Sequence, residues 1–176
     1  FKYFVTKSGE EIISSDYTLG EEELLHIKTT SSSVSRINKK EFIDELDENG
    51  KRAFDRIDKF IENKGMLVRW GAKGFSANYQ SGNSFVGMFF CYLKNSVFKQ
   101  SIYTGFEEIG KKVNKSDEII DFYKKEIAKL KNFQRASSNY KCIINEKISN
   151  DEIDAFLNVV DKVMVMIGEK GLKSST

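Results

Sequence analysis

Apolar residues recur along this chain with two different periods, and the change from one to the other divides it into elements. Phe1 to Val5 alternates aromatic and polar positions, Ser8-Gly9 supplies a turn, and Glu11 to Ser14 resumes an apolar pair, which predicts a small β-hairpin. Glu21 to Lys28 reads as a short helix. Thr29-Thr30-Ser31-Ser32-Ser33 then has no apolar side chain, the composition of a linker. Beyond it, Phe42, Leu46, Ala53, Phe54, Ile57, Phe60 and Ile61 follow helical spacing, with Lys51, Asp55, Arg56, Asp58, Lys59 and Glu62 on the opposite, solvated face. Asn38 followed by Glu41 has the form of a capping box, so a helix is expected to start there. Asn49-Gly50 is expected to break it into two pieces, and Gly65 suits its C-terminal end.

From Met66 the apolar spacing falls from about 3.6 to about 2, the mark of entry into a sheet. Met66, Val68 and Trp70 alternate with Leu67 and Arg69, and after Gly71-Ala72-Lys73-Gly74 the residues Phe75, Ala77 and Tyr79 alternate with Ser76 and Asn78. That pattern predicts a hairpin. Ser81-Gly82-Asn83 makes the next turn, and Phe85 to Leu93 is apolar at nearly every position, as a central strand covered on both sides would be. Ser101 to Phe106 reads as a fourth strand. Ser116, with Asp117 and Glu118 in the first turn, opens a helix whose face is Ile119, Ile120, Tyr123, Ile127 and Leu130. Tyr140 to Asn145 reads as a further strand. Ser149 with Glu152 forms a second capping box, opening a last helix with Ile153, Phe156, Leu157, Val160, Val163, Met164 and Ile167 inward and Gly168 or Gly171 at its end.

Strands grouped together and flanked by helices, without regular βαβ alternation, predict an α+β fold. The expected architecture is an antiparallel meander of four to five strands packed with three main amphipathic helices, plus the N-terminal β-hairpin. The expected divisions are residues 1–37 for hairpin, short helix and Ser/Thr-rich linker, 38–171 for the main domain, and 172–176 for a disordered tail.

Composition narrows the class. The 176 residues are enough for one domain with a substantial core, and 40% hydrophobic with 31% charged residues is the balance of a globular protein. The longest apolar run, Phe85 to Leu93, falls far short of the roughly 20 residues a membrane-spanning helix needs, so no membrane is expected. Cys91 and Cys142 both lie in strand-like apolar runs without metal-ligand spacing, which with the absence of secretion signals predicts a reducing, cytoplasmic setting. The chain opens on Phe1 rather than Met and reads as a piece of a larger protein, expected to be prokaryotic. Proline is absent, so turns rely on Gly, Asn, Asp and Ser. A formal charge of +2 permits an acidic partner without requiring one.

Candidate chemistry concentrates in the segment Arg69-Trp70-Gly71-Ala72-Lys73-Gly74-Phe75-Ser76. A tight glycine-bounded turn there displays Arg69, Trp70, Lys73 and Phe75 together, a combination suited to base stacking and phosphate neutralisation. The spacing matches neither a Walker loop nor a dinucleotide fingerprint. The competing reading keeps Trp70 and Phe75 in the core and uses the glycines only to close a hairpin. Lys94, Lys99 and Tyr103, with Tyr92 and Phe98, form a second basic and aromatic neighbourhood that a meander can bring to the same end of the sheet. For hydrolysis the acids are Glu10, Asp16, Glu23 and Glu107-Glu108, yet no acid-x-Lys triplet stands on a strand, as a metal-dependent nuclease requires. His26 has no nucleophile beside it. No cofactor, no metal and no catalytic residue is therefore expected.

The element order, the strand at Gly74 to Ser76 and the last strand followed by a capped helix resemble small modules attached to bacterial restriction or nuclease-type proteins, over roughly Phe42 to Ile167. The resemblance is architectural and carries over no catalytic residue. It implies a nucleic-acid context. The function expected is a non-catalytic binding or accessory module of a larger protein, using Arg69, Trp70, Lys73, Lys94 and Lys99 to meet nucleic acid or another acidic partner; the alternatives are a protein-protein interaction or oligomerisation domain, and an enzyme with a small-molecule pocket between sheet and helix.

Overall fold

A computed structural model of the chain describes residues 2–5, 11–14 and 35–173, which fall into two units divided after residue 33. In the first, β1 (Lys2–Val5) pairs antiparallel with β2 (Glu11–Ser14), with Tyr3 opposite Ile13 and Phe4 opposite Ile12. The Ser8-Gly9 turn, the helix expected at Glu21 to Lys28, the serine linker, His26, Glu10, Asp16 and Glu23 lie outside the described residues.

The second unit is α+β. Its helices are α1 (Lys39–Asp44), α2 (Glu48–Asn63), α3 (Phe106–Lys112), α4 (Ser116–Ile127) and α5 (Asn150–Lys170). Its strands are β3 (Leu67–Trp70), β4 (Gly74–Ser81), β5 (Ser84–Tyr92), β6 (Ser101–Thr104), β7 (Phe133–Ala136) and β8 (Asn139–Ile143), forming one antiparallel sheet in the order β3-β4-β5-β6-β8-β7. The expectation of four to five strands is thus corrected to six in this sheet. The meander also breaks at its end, because β8 pairs with β6 while β7, a strand not anticipated, takes the edge. Ser137, at φ 56°, turns that last hairpin in the left-handed region.

The first helix does break, but not at Asn49-Gly50. Asn38 and Glu41 complete the expected capping box, at 2.9 and 3.0 Å, and α1 ends after one and a half turns. Asp47 then caps α2 by accepting from the Gly50 amide at 2.9 Å. Gly50 sits inside the first turn of α2 because the side chain of Gln100 packs where a Cβ would stand, with Oε1 only 2.3 Å from that position. A helix as short as α1 has no stability of its own in water. Phe42, 2% exposed, anchors it by inserting among Phe54, Trp70 and Phe75 with ring centroids 5.1 to 5.7 Å away.

The expected strand Ser101 to Phe106 stops at Thr104. Gly105 donates to Met88 O at 2.9 Å, and a Cβ there would meet Gly87 O at 2.1 Å, so only glycine lets the chain come this close to β5 and turn into α3. Between Ala77 and Asn78 the β4-β5 register shifts, leaving Met88 as an extra residue on β5. The bulge places Val86, Met88, Phe89 and Cys91 all within the core. At the C-terminal end the chain stays with the fold beyond Gly171: Leu172 bridges to Val113, and Lys173 N donates to Lys112 O at 2.9 Å.

Helices fill one side of the sheet. Trp70, Phe75, Cys91, Ile102, Cys142 and Phe133 stand opposite one another on successive strands and form the core-facing row, to which α1, α2 and α5 bring Phe42, Phe54 and Phe156. Phe156 packs on both Phe89 and Phe133, and Tyr123 of α4 reaches through to Met88 O at 3.3 Å.

Candidate functional site

Because strand side chains alternate between faces, the row adjacent to the core row points the other way. It reads Arg69, Ser76, Phe90, Tyr103, Lys141, Gln134 from β3 to β7, and none of these six residues is buried. Leu67, Gly74, Asn78, Phe85, Gly87, Tyr92 and Ser101 complete the same face. Helix α3 approaches it at one corner, where Glu108 Cγ lies 3.1 Å from the place a Gly87 Cβ would take, and the loop carrying Phe98 approaches it at another.

Two clusters of aromatic and basic groups stand on this face. In the first, Tyr92 and Phe98 stack with centroids 4.2 Å apart and planes 28° apart, and Tyr103 meets both edge-on at 5.4 and 5.7 Å. Lys73 lays its Nζ over the Phe98 ring at 5.9 Å. Burial raises the Tyr92 phenol above its ordinary pKa, with smaller contributions from Tyr103 and Cys91, so it stays a neutral hydrogen-bond donor. In the second cluster Arg69 sets its guanidinium over Phe85 at 5.0 Å. Phe90 lies between the two.

The charge on this face has one sign among the strands. None of β3 to β8 contains an Asp or Glu, whereas Arg69 and Lys141 stand on this face; Arg135, two residues from Phe133, is on the opposite one. The nearest acid, Glu108 of α3, is bound to Lys112 at 2.6 Å, and Glu107 accepts from Ser138 at 2.8 Å and lies 4.0 Å from Lys111. Both acids of the Glu107-Glu108 pair are therefore engaged on a helix, and among the described residues no group of three His, Cys, Asp or Glu side chains is placed to hold a metal ion.

A trench of about 450 Å³ runs along β4 between these clusters. Its floor is Gly74 and Ser76, which carry almost no bulk; Phe90 and Tyr92 stand on one side, Arg69 on the other, and Lys73 closes one end. Gly74 holds φ 149°, and a Cβ there would strike Cys91 O at 1.9 Å, so the floor is kept low by backbone geometry. Ser76 Oγ accepts from Asn78 Nδ2 at 3.0 Å, which leaves its own proton to donate into the trench.

The residues singled out from the sequence divide accordingly. Arg69, Lys73 and Tyr103 come together on the open face. Phe75, 3% exposed, and the half-buried Trp70 belong to the opposite side, where their rings lie 5.1 Å apart in the aromatic cluster around Phe42. Trp70 is thus packed against the core, not displayed beside the lysines. Lys94 turns toward the helical layer and pairs with Asp47 at 3.8 Å. Lys99 is exposed on the loop that carries Phe98, in the left-handed backbone region at φ 59°. Sequence reading missed Phe90, Ser76 and Lys141 as site residues. The alternation that identifies them was legible, but which of the two faces the helices would cover was not.

Two other grooves are less suited to an anion. One, about 500 Å³ between α2 and β3, has Lys39 at its rim, but that lysine is already held by Asp58 at 2.6 Å. Another, about 650 Å³, is lined by Glu41, Asp44 and Glu45.

Comparison with known proteins finds no matching family model, no matching curated protein and no matching solved structure. Geometry and charge alone carry the functional reading.

Proposed function

We propose that this chain is a non-catalytic nucleic-acid-binding module that works through the open face of its six-stranded sheet. The observation that carries the reading is the acid-free row Arg69, Ser76, Phe90, Tyr103, Lys141, in which two adjacent aromatic rings stand between a cation at each end, on a face that among residues 35–173 helix α3 meets at one corner. Aromatic faces stack on bases of any sequence, and Lys and Arg neutralise the phosphates between them, so the two residue types together fit a nucleic-acid chain better than they fit an acidic protein. The architectural resemblance to modules of restriction or nuclease-type proteins belongs to the same reading: such a module holds the strand while another domain supplies chemistry.

The test is fluorescence anisotropy with labelled RNA and DNA oligonucleotides at low ionic strength. Binding is expected, weakening steadily with added salt and weakening at least about tenfold in Lys73→Glu or Arg69→Glu, since each reversal places a repulsive charge beside a phosphate. Absence of binding to either polymer at low salt removes the proposal.

A further inference from the structure

The trench along β4 specifies more than a charged surface does. We infer, building on the nucleic-acid reading above, that it receives a single unpaired nucleotide chain, one base entering edgewise between Phe90 and Arg69 while the flanking phosphates meet Arg69 along one side and Lys73 at the closed end. Three features point to this. The floor of Gly74 and Ser76 is sunk below the aromatic side chains on β5, so a flat ring can slide against Phe90 and Tyr92, whereas the rim of a rigid duplex reaches only the crests. The two cations stand at opposite clusters, Arg69 by Phe85 and Lys73 by Phe98, as successive phosphates of an extended strand require. The floor also carries a hydroxyl whose proton is uncommitted, Ser76 Oγ, facing the edge of whatever base enters. Paired bases keep their Watson–Crick edges and ring faces inside the helix, so a trench that takes a whole ring reads a strand whose bases are splayed out.

The experiment compares a single-stranded oligonucleotide of about eight residues with the duplex of the same sequence, as uridine and deoxythymidine homopolymers and their adenine complements. The wild-type chain is expected to prefer the single strand at least about tenfold, in both sugar forms if stacking and phosphate contacts dominate; a preference restricted to RNA places a 2′-hydroxyl contact at the same trench. Ser76→Leu, which fills the floor, and Phe90→Ala, which removes a wall, are each expected to abolish that preference, while Lys94→Ala, outside the trench, retains it. Trp70 fluorescence reports on folding in every variant because that ring lies on the other side of the sheet. Equal affinity for single strand and duplex, or a preference that survives both Ser76→Leu and Phe90→Ala in folded protein, overturns the trench and leaves the charged face standing. Loss of all binding in the wild type overturns both.

Discussion

At the scale of single residues, Gln100 ties together segments far apart in sequence. It is 4% exposed; its amide donates to Asp47 Oδ1 at 2.7 Å and Ile144 O at 3.1 Å, and its carbonyl accepts from Asp47 N at 3.1 Å. Gln100→Leu strands these partners and is expected to cost about 2–3 kcal/mol in urea unfolding, the scale of buried polar groups left unpaired. The Gln100 and Gly50 hydrogen bonds hold the Asp47 carboxyl below its ordinary pKa of 3.8, with Lys94 adding to the effect. A carboxylate lowered in the folded state stabilises above its unfolded pKa and loses that contribution as the pH falls through the folded one. The stability difference between wild type and Asp47→Asn should therefore shrink on acidification from about pH 6 to about pH 3. The two cysteines behave in the opposite sense. Burial pushes both thiols up, Cys142 to about 12 with the Glu152 charge adding to it. Their contribution is complete below the ordinary thiol value of 9.0 and is lost as the pH rises above it, because the unfolded chain then releases protons the folded chain retains. Wild-type stability should fall between about pH 8 and about pH 10 more steeply than that of a Cys91→Ala, Cys142→Ala double variant. The two cysteines flank Ile102 in one row, two strand spacings or about 10 Å apart, beyond the reach of a disulfide.

At the scale of elements, α5 shows how a local signal is redirected by its surroundings. Ser149 caps the helix by accepting from Glu152 N at 3.1 Å, as its sequence predicts. Glu152 does not return the bond to Ser149, however; its carboxylate takes the Asn132 backbone and side-chain amides, both at 2.6 Å, and so fastens the start of edge strand β7 to the helix. Ser149→Ala should cost about 1 kcal/mol, the usual value of a lost N-cap. Glu152→Ala should cost about 2–4 kcal/mol, since it removes two charge-assisted bonds, and hydrogen exchange should show the loss concentrated in Phe133 to Ala136. An equal cost for the two variants with uniform exchange would mean that Glu152 serves only the cap. The element scale also explains the α3 error: apolar alternation across Ser101 to Phe106 looks the same whether or not the strand continues, and it is the approach of Gly105 to Gly87 that ends it.

At the scale of the whole second unit, charge is sorted by layer. The acids lie on helices and loops, many in pairs such as Arg56–Asp154 at 2.7 Å and Lys64–Asp161 at 2.6 Å, while the strands carry none. These exposed pairs add little stability individually. What the sorting produces is a mixed-charge helical surface and a basic, aromatic sheet surface. With Arg69, Lys73 and Lys141 as the phosphate contacts, log Kd for a single strand should change with log salt concentration with a slope near about 2, following the roughly 0.7 counterions released per neutralised phosphate. A slope near zero points instead to an uncharged ligand for this face.

Much of this was determined by the sequence alone. Hydrophobic period, capping residues and glycine positions specified the α+β class, the Asn38 and Ser149 helix starts and the strands around Trp70, Phe75 and Phe89, because those signals act between residues a few positions apart. Tertiary structure decided the rest. A period of two names two faces without saying which one the helices cover, so the reading that displays Trp70 beside Arg69 and the reading that keeps Trp70 in the core both stood until packing sent Trp70 to the Phe42 cluster and Arg69 to the trench. Phe90, Ser76 and Lys141 became neighbours only through pairing across four strands, a register set by long-range burial that no local pattern records.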